Sequence, residues 1–425
     1  MITKDNFINY FRSGIKETND CGIGIEHEKF VFLENKRADY QSILNLFEKL
    51  YEFGWEPVKE GINIIALKKG NKNITLEPGN QIELSGEKLK SIHQTCGESQ
   101  EYIFELNQSL KKLNLNLISS GFDPISKIEE VPSNPKNRYE LMTKIMPLFG
   151  KLSLDMMYRT CGTQVNIDYT SEKDFCKKFF VVNRLVPITI ALFANSGIVE
   201  KNKSGYLSYR SYAWQNTYRG GLPKIFLENM DFEKYADFSL NYPMLFLKRN
   251  DKYIDAKNKT FQNFIDGDIE KASPNEEDVA DHLSTIFTEN RLKKYIEIRS
   301  MDACGWDCLC AGPAFFIGLL YGNLDEVFDV VKRWNLDEII SAYKDSPKKG
   351  LKTILGKKSI LDWSKDLFEI SKQGLVNRNE LNSKKQNEVK FLDHIKTIID
   401  TNSTNAEAIM AQYQKDKNFF NINEK

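Results

Sequence analysis

The chain has 425 residues and a mass of 49.2 kDa, with 41% hydrophobic, 28% charged and 12% aromatic residues. This composition is typical of a globular protein and excludes the disordered, collagenous and coiled-coil classes. Lysine plus arginine and aspartate plus glutamate each number 59, so the formal net charge is +0. Balanced charge without a basic cluster argues against a nucleic-acid partner, because phosphate backbones bind positive surfaces.

The termini and the cysteines indicate a compartment. The N-terminal segment contains an acidic residue, Asp5, and has no apolar stretch, so neither a secretory signal nor a typical transit peptide is expected. The longest apolar runs, residues 185–194 and 311–321, are shorter than the roughly 20 residues that cross a bilayer, so no membrane partner is expected. Seven scattered cysteines do not form the dense framework of a small secreted domain. We therefore expect a cytoplasmic protein.

Hydrophobic patterns of period 2 and period 3.6 follow one another without an internal repeat or a Pro/Ser/Gly-rich linker. In chain order they predict a strand at 25–33, a helix at 41–53, a strand at 81–85, a helix at 85–113, a strand at 164–169, helices at 171–195 and 276–287, a strand at 295–299, and helices at 313–334, 361–374 and 388–400. We predict one α+β domain over residues 1–425, in which helices cover one face of a mostly antiparallel sheet and the C-terminal portion is helical.

The four predicted strands each carry polar side chains on one face. In the first strand, Glu26 and Glu28 share a face, and Ile25 and His27 point the other way. We therefore expect His27 to be a packed histidine rather than a ligand. The same alternation groups Gln81, Glu83 and Ser85 with Glu77 just before them, then Gln164, Asn166 and Asp168, and finally Glu297 and Arg299.

A single strand face that carries acids is most often solvated surface, but four such faces in one sheet would form a cluster of acids, which is less easily explained as solvated surface. Such a sheet would concentrate Glu26, Glu28, Glu83, Glu297 and Glu77, and these carboxylates repel one another unless cations neutralise them. Oxygen donors favour Mg²⁺ or Mn²⁺, and Mg²⁺ commonly completes its shell with phosphate oxygens. With an arginine beside the acids, the pattern predicts phosphoryl transfer from a nucleotide.

Long segments around these residues form a specific pattern in a fixed order over nearly the whole chain. They are GIEHEKFVF (24–32), ITLEPGNQIELSG (74–86), RYELMTKIMPLFGKLSLDMMYRTCGTQVNIDY (138–169), ALFANSGIVEKNKSGYLSYRSYAW (191–214) and HLSTIFTENRLKKYIEIRSMDACGWDCLCAGPAFFIGLLY (282–321). Together they resemble glutamate–cysteine ligases of the plant and proteobacterial type. The resemblance implies a saddle-like antiparallel sheet related to that of glutamine synthetase. It also implies joining of the γ-carboxylate of L-glutamate to the amine of L-cysteine with ATP and Mg²⁺.

The resemblance implies roles for individual residues as well. Metal ligands would be Glu26, Glu28, Glu83 and Glu297, with Glu77 a further candidate and Gln164 facing the same ions. The catalytic residues would be Arg299 and Glu297. Arg299 would hold the transferring phosphate, and Arg210 would bind a substrate carboxylate. Substrate contacts are also implied for Arg159, Thr160 and Trp214. Replacing Glu297 is expected to stop turnover and to leave folding intact.

Two alternatives remain open, and the cysteines are a departure from the family. The protein could be a carboxylate–amine ligase that uses another amine, or a catalytically silent nucleotide-binding homologue, although the intact acids and Arg299 argue against the latter. The cysteines at 304, 308 and 310 stand where the family commonly has none. We therefore expect that the redox disulfides of the plant enzymes do not transfer here, and that Cys96, Cys161 and Cys176 are buried, small and apolar in behaviour.

Overall fold

The computed structural model describes residues 2–217, 219–250, 252–269, 272–417 and 419. The strands are β1 (Ile23–Leu33), β2 (Lys36–Arg37), β3 (Glu56–Glu60), β4 (Asn63–Lys69), β5 (Lys72–Leu76), β6 (Ile82–Ser85), β7 (Leu115–Ile118), β8 (Gly162–Ile167), β9 (Ile198–Val199), β10 (Asn202–Lys203), β11 (Gly220–Gly221), β12 (Phe246–Arg249), β13 (Lys252–Asp255), β14 (Phe287–Thr288), β15 (Asn290–Leu292), β16 (Ile296–Asp302), β17 (Ile354–Leu355) and β18 (Lys358–Ser359). The helices are α1 (Lys4–Arg12), α2 (Tyr40–Leu50), α3 (Ile92–Leu113), α4 (Asn137–Ile145), α5 (Ser153–Arg159), α6 (Glu172–Arg184), α7 (Val186–Leu192), α8 (Tyr209–Gln215), α9 (Phe232–Leu240), α10 (Phe261–Ile265), α11 (Glu276–Ser284), α12 (Trp306–Leu309), α13 (Ala311–Ile317), α14 (Leu324–Val331), α15 (Leu336–Lys349), α16 (Ile360–Arg378), α17 (Asp393–Thr401) and α18 (Asn405–Lys415).

A ten-stranded antiparallel sheet runs in the order β15-β16-β8-β1-β6-β5-β4-β3, and β2 and β7 pair with β1 off this path. The predicted antiparallel sheet is therefore confirmed, and all four predicted strands are part of it. In the register of the central strand β1, Glu28 lies opposite Glu83 of β6, and Glu26 lies opposite Gln164 of β8. Cross-strand partners have Cβ atoms about 5 Å apart, so this register gathers the polar side chains on one face.

The other face of the sheet is apolar and covered by helices. Ile25 and Val165 are buried in one hydrophobic cluster with residues of α6, α7 and α13, and Leu84 is buried in a second cluster with residues of α2 and α3. Burying each such side chain stabilises the fold by about 1.5–3 kcal/mol. His27 also lies on this side and is 2% exposed, and burial lowers its pKa to about 3. The prediction of a packed histidine is confirmed.

Several predicted helices differ from the observed ones for local reasons. The predicted helix 171–195 is two helices, because Pro187 cannot donate the hydrogen bond that would continue α6 and instead stands near the start of α7. The predicted helix 313–334 is interrupted by a π-helical turn, Gly318–Gly322, between α13 and α14. This turn packs so closely on α16 that a Cβ on Gly374 would lie 1.9 Å from the carbonyl oxygen of Gly318. The helix predicted from residue 85 begins later, where Ser91 caps α3.

The C-terminal part is mainly helical, as predicted, with α14 to α18 interrupted by the β17–β18 hairpin. Among the described residues, no single helix is both long and apolar enough to cross a membrane. Trp306–Gly322 and Leu324–Val331, which meet at 97°, reach that length and composition only when taken as a pair.

The cysteines differ from the expectation. Cys96 in α3 forms a disulfide with Cys310 at the end of α12, and Cys304 forms a second one with Cys308. The expectation that Cys96 is simply a buried, small apolar residue was wrong. Cys96 and Cys310 are 214 residues apart in the sequence, but their Cα atoms lie 5.9 Å apart in the fold, a distance that suits a disulfide. Cys161 is free and buried as predicted, and Cys176 is free but only partly buried.

The two disulfides are expected to contribute unequally to stability. By the loop-entropy model, a cross-link over 214 residues stabilises by about 5 kcal/mol and one over 4 residues by about 2 kcal/mol. Urea unfolding should therefore show a clearly larger loss for the Cys96→Ala/Cys310→Ala pair than for the Cys304→Ala/Cys308→Ala pair. Equal losses would contradict the entropic account. Both double variants should keep turnover, because no cysteine is among the described residues that line the pocket on the polar face.

Candidate active site

The polar face of the sheet forms the floor of a pocket of about 560 Å³. Side chains reach it from strands of the sheet and from the loops and helices above them. Of the residues proposed from the sequence, the pocket is lined by Glu26, Glu28, Glu77, Glu83, Thr160, Gln164, Arg210, Trp214, Glu297 and Arg299. The structure thus brings together residues that lie up to 273 positions apart in the chain.

Glu26, Glu28 and Glu83 accept hydrogen bonds from uncharged donors. Glu26 accepts from the Asn166 side chain (2.7 Å), Glu28 from the backbone N–H of Gly162, and Glu83 from the Thr75 hydroxyl (2.7 Å). Burial raises the pKa of Glu28 to about 7, and repulsion from Glu77 adds to the effect. Burial also raises the pKa of Glu83 well above its ordinary value, with Glu26 the next largest cause. The acids are therefore crowded, and their negative charge lacks full compensation.

The crowding predicts a pH dependence of the ligand-free protein. Because the pKa of Glu28 is about 7 in the folded chain against 4.5 in its ordinary state, the stability that it contributes is full below about pH 4.5 and is lost as the pH rises through 7. The loss is on the order of 3 kcal/mol. In chelator-treated protein, the melting temperature of Glu28→Gln should rise relative to wild type between pH 5 and pH 8. Parallel curves for the two proteins would contradict this shift.

The donor set fits a hard divalent cation bound together with substrate. Among the described residues, no three histidine, cysteine, aspartate or glutamate side chains are already arranged to hold a metal ion. Mg²⁺, however, is usually bound by one or two carboxylates, with water and substrate phosphates completing its shell. Burial, and after it repulsion from neighbouring acids, raises the pKa of Glu28 and Glu83, and a cation bound with substrate would offset both causes.

Glu297 has a different environment from the other acids. Its carboxylate is 1% exposed and contacts Arg291, Lys293 (3.0 Å) and Arg299 (3.5 Å). Burial opposes ionisation, but these three cations together lower the pKa of Glu297 below its ordinary value. Glu297 is therefore ionised and neutralised by protein groups, so its role as a metal ligand, implied by the resemblance, stays a prediction.

Two arginines flank the indole ring of Trp214. The guanidinium carbon of Arg210 lies 5.1 Å from the ring centroid and that of Arg299 lies 5.4 Å from it. Arg299 donates to the Gln164 side chain (2.7 Å), and Arg210 donates to the backbone carbonyl of Arg299 (2.7 Å). Within the described residues, Nε and Nη1 of Arg210 and Nε of Arg299 are buried without a hydrogen-bond partner. Such buried donors are costly unless an acceptor binds there, so they indicate a site for an anion.

Glycine and glutamine residues fix this corner of the pocket. A Cβ on Gly162 would lie 2.7 Å from Nη2 of Arg210, so only glycine lets the guanidinium approach β8 this closely. The Gln81 amide donates to the carbonyls of Met157 and Thr160, both at 3.1 Å, and so ties the β5–β6 turn to the end of α5. Glu77 in that turn accepts from the hydroxyl of Tyr139 (3.2 Å).

Arg159 is the one proposed site residue that is not among the residues lining the pocket. Its guanidinium binds Asp155 (2.9 Å) and Glu200 (3.1 Å) and lies over the ring of Phe122. The expected substrate contact of Arg159 therefore stays a prediction, and in this structure its guanidinium is held by these two carboxylates. Thr160, the next residue, does face the pocket, because neighbouring residues at the end of α5 point in different directions.

Four basic residues of the pocket were not predicted from the sequence, and these are Lys136, Arg138, Arg291 and Lys293. Arg291 and Lys293 flank the buried Leu292, so their alternation just before Glu297 was a signal that could have found them. Lys136 and Arg138 lie at the start of α4, where the sequence has no matching periodicity. Burial lowers the pKa of Lys136 to about 8, and Nε of Arg138 is a further buried donor without a partner among the described residues.

The pocket therefore combines buried acids with arginines whose donors have no partner among the described residues, an arrangement that suits an anionic substrate. Residues 22–421 match the model of glutamate–cysteine ligase family 2 (GCS2). The chain is 38% identical to the chloroplastic glutamate–cysteine ligase of Solanum lycopersicum over 97% of this chain and 80% of the relative. It is likewise 38% identical to glutamate–cysteine ligase A, chloroplastic, of Oryza sativa subsp. indica over 97% and 85%. The chain therefore belongs to glutamate–cysteine ligase family 2.

A solved structure shares the fold. The bifunctional glutathione synthetase from Pasteurella multocida superposes with a TM-score of 0.50 at 11% sequence identity and covers 98% of this chain. This chain spans about half of that longer one, 51%. At this identity the similarity concerns the fold alone.

Proposed function

We propose that this protein is an ATP-dependent ligase that joins the γ-carboxylate of L-glutamate to the amine of L-cysteine and so makes γ-glutamylcysteine, the first step of glutathione synthesis. The observation that carries the proposal is the meeting, in one pocket, of the acids Glu26, Glu28 and Glu83 with the free donors of Arg210 and Arg299. Family membership supports the same reaction.

The proposed reaction has two steps and needs no protein nucleophile. An oxygen of the glutamate γ-carboxylate attacks the γ-phosphorus of ATP, and the bond to the bridging oxygen breaks to release ADP. The amine of cysteine then attacks the acyl phosphate carbon, loses a proton, and displaces inorganic phosphate. The protein contributes by orienting the reactants and by stabilising the negative charge that develops.

Individual side chains have separate tasks in this proposal. Arg210 would bind a carboxylate of glutamate through Nε and Nη1, beside Trp214 and Thr160. Arg299 would donate to the transferring phosphoryl group, with Gln164 orienting its guanidinium. Lys293 and Arg291 would raise the positive potential at the same end of the pocket.

Glu26, Glu28 and Glu83, with Glu77 and Glu297 nearby, would hold Mg²⁺, or Mn²⁺, together with ATP. The bound cation would neutralise phosphate charge and spread the charge that develops on transfer. Burial and the neighbouring acids raise the pKa of Glu28 and Glu83, and a positive charge bound beside them would favour the ionised form of both carboxylates.

ADP release from the purified protein tests the proposal. Glutamate, ATP and Mg²⁺ are supplied with cysteine or with one of several other amines, and the product is identified by its mass. γ-Glutamylcysteine as the preferred product supports the proposal. A clear preference for another amine would leave a carboxylate–amine ligase with a different acceptor, and ATP binding without ADP release would identify a silent homologue.

A further inference from the structure

The short helix α8 presents both Arg210 and Trp214 to the pocket, and it is fixed at each end by residues outside the pocket lining. It has only 7 residues, too few for a helix to be stable by itself. The position of the Arg210 guanidinium therefore depends on what anchors the two ends.

Asp302, the last residue of β16, anchors the first end. It is 2% exposed and accepts hydrogen bonds from the Ser196 hydroxyl (2.6 Å), the Ser208 hydroxyl (2.8 Å) and the backbone N–H of Asn195 (2.8 Å). Ser208 is the N-cap of α8, and Ser196 accepts the backbone N–H of Arg210 (3.1 Å). One buried carboxylate thus holds both hydroxyl groups that fix the backbone at Arg210.

Helix α15 anchors both ends of α8 through the chemistry of Pro347. Proline has no N–H, so the carbonyl of Tyr343, four residues earlier, lacks its usual helical partner and instead accepts from the Gln215 side chain (2.7 Å). The carbonyl of Pro347, near the end of α15, accepts the backbone N–H groups of Leu207 (2.7 Å) and Ser208 (2.9 Å). Pro347 therefore leaves the Tyr343 carbonyl available to the side chain of the last residue of α8. Its own carbonyl accepts two backbone N–H groups from the residues just before α8.

We propose that Asp302 and Gln215 are positioning residues that set the affinity for the substrate carboxylate by fixing the helix that carries Arg210. This inference rests on the proposed function, in which Arg210 binds glutamate. Arg210 donates one N–H to the carbonyl of Arg299. Its remaining donors reach a carboxylate only if the backbone of α8 does not shift. A bidentate contact tolerates little displacement, so losing an anchor weakens glutamate binding and leaves ATP binding unchanged.

Gln215→Met tests the second anchor, because it keeps the length of the side chain and removes the bond to Tyr343. Gln215 is only partly buried, so the variant should fold. Asn216→Ala is the matched control, since the side chain of Asn216, the residue that follows α8, donates to the carbonyl of Tyr212 within that helix (2.8 Å) and, among the described residues, to no residue of α15. The KM for glutamate should rise by about fivefold or more in Gln215→Met, with kcat and the KM for ATP within about twofold of wild type, and it should not change in Asn216→Ala.

Asp302→Asn tests the first anchor and should give the same pattern, because the amide replaces one acceptor oxygen by a donor. Each change is repeated in an Arg210→Lys background. A residue that acts through Arg210 should have little further effect on the KM for glutamate there, whereas a residue that only stabilises the fold would act equally in both backgrounds. Equal effects in both backgrounds, or an unchanged KM in Gln215→Met, would overturn the inference. A wild type without turnover would instead refute the proposed function.

Discussion

Glu297→Gln is expected to abolish turnover and also to destabilise the ligand-free protein. The carboxylate of Glu297 faces the pocket and forms ion pairs with Arg291, Lys293 and Arg299, so it offsets part of their positive charge. Removing its charge leaves buried cations without a counter-charge, which costs about 3 kcal/mol or more of stability. Loss of a ligand or organising charge should lower kcat by about a hundredfold or more, roughly 3 kcal/mol in the barrier. ADP release and thermal unfolding of the ligand-free variant measure the two effects.

Glu83→Gln is the matched comparison, and its effect on stability should have the opposite sign. Glu83 is buried among Glu26, Glu77 and Glu28, which repel its ionised form, so a neutral amide relieves repulsion. The ligand-free protein should melt at the same temperature as wild type or higher, although turnover is lost. A lower melting temperature for Glu83→Gln, or an unchanged one for Glu297→Gln, would show that the charges of the pocket are compensated differently from this account.

The acidic face of the site was predictable because a strand has a period of two. Glu26 with Glu28 and Glu297 with Arg299 follow from that alternation alone, and their strands pair in one sheet. Alternation does not predict cross-strand register, however. The pairing of Arg291 in β15 with Glu297 in β16 makes Glu297 an ion-paired residue, and this is why the expectation that its replacement leaves folding intact is not supported.

Features that depend on contacts between distant segments could not be predicted from the sequence patterns. Arg159 and Thr160 are adjacent in a matching segment, yet only Thr160 faces the pocket, because Asp155 and Glu200 bind Arg159 elsewhere. The Cys96–Cys310 disulfide likewise requires α3 to meet the end of α12. Local rules still explain the smaller errors, since Pro187 separates α6 from α7 as proline chemistry requires.

Arg299→Lys is expected to lower turnover far more than a charge-conserving change ordinarily does. Lysine keeps a positive charge near Glu297, but it loses the planar guanidinium that lies 5.4 Å from the Trp214 ring and donates to Gln164. Nε of Arg299 is a buried donor without a partner among the described residues, and a lysine side chain has no donor at that position. We expect kcat to fall by at least about tenfold, roughly 1.4 kcal/mol in the barrier, with a smaller change in the KM for ATP.

Arg184→Lys is a control for the structural contribution of a buried arginine. Arg184 donates to the carbonyls of Trp334 (2.8 Å) and Leu227 (2.9 Å) away from the residues that line the pocket, so its replacement should lower the melting temperature and leave turnover per folded molecule unchanged. If Arg299→Lys behaved in the same way, Arg299 would serve only to compensate Glu297 within the fold. Its assignment to the transferring phosphate would then be wrong, because a group that stabilises the transition state must change kcat when its geometry is lost.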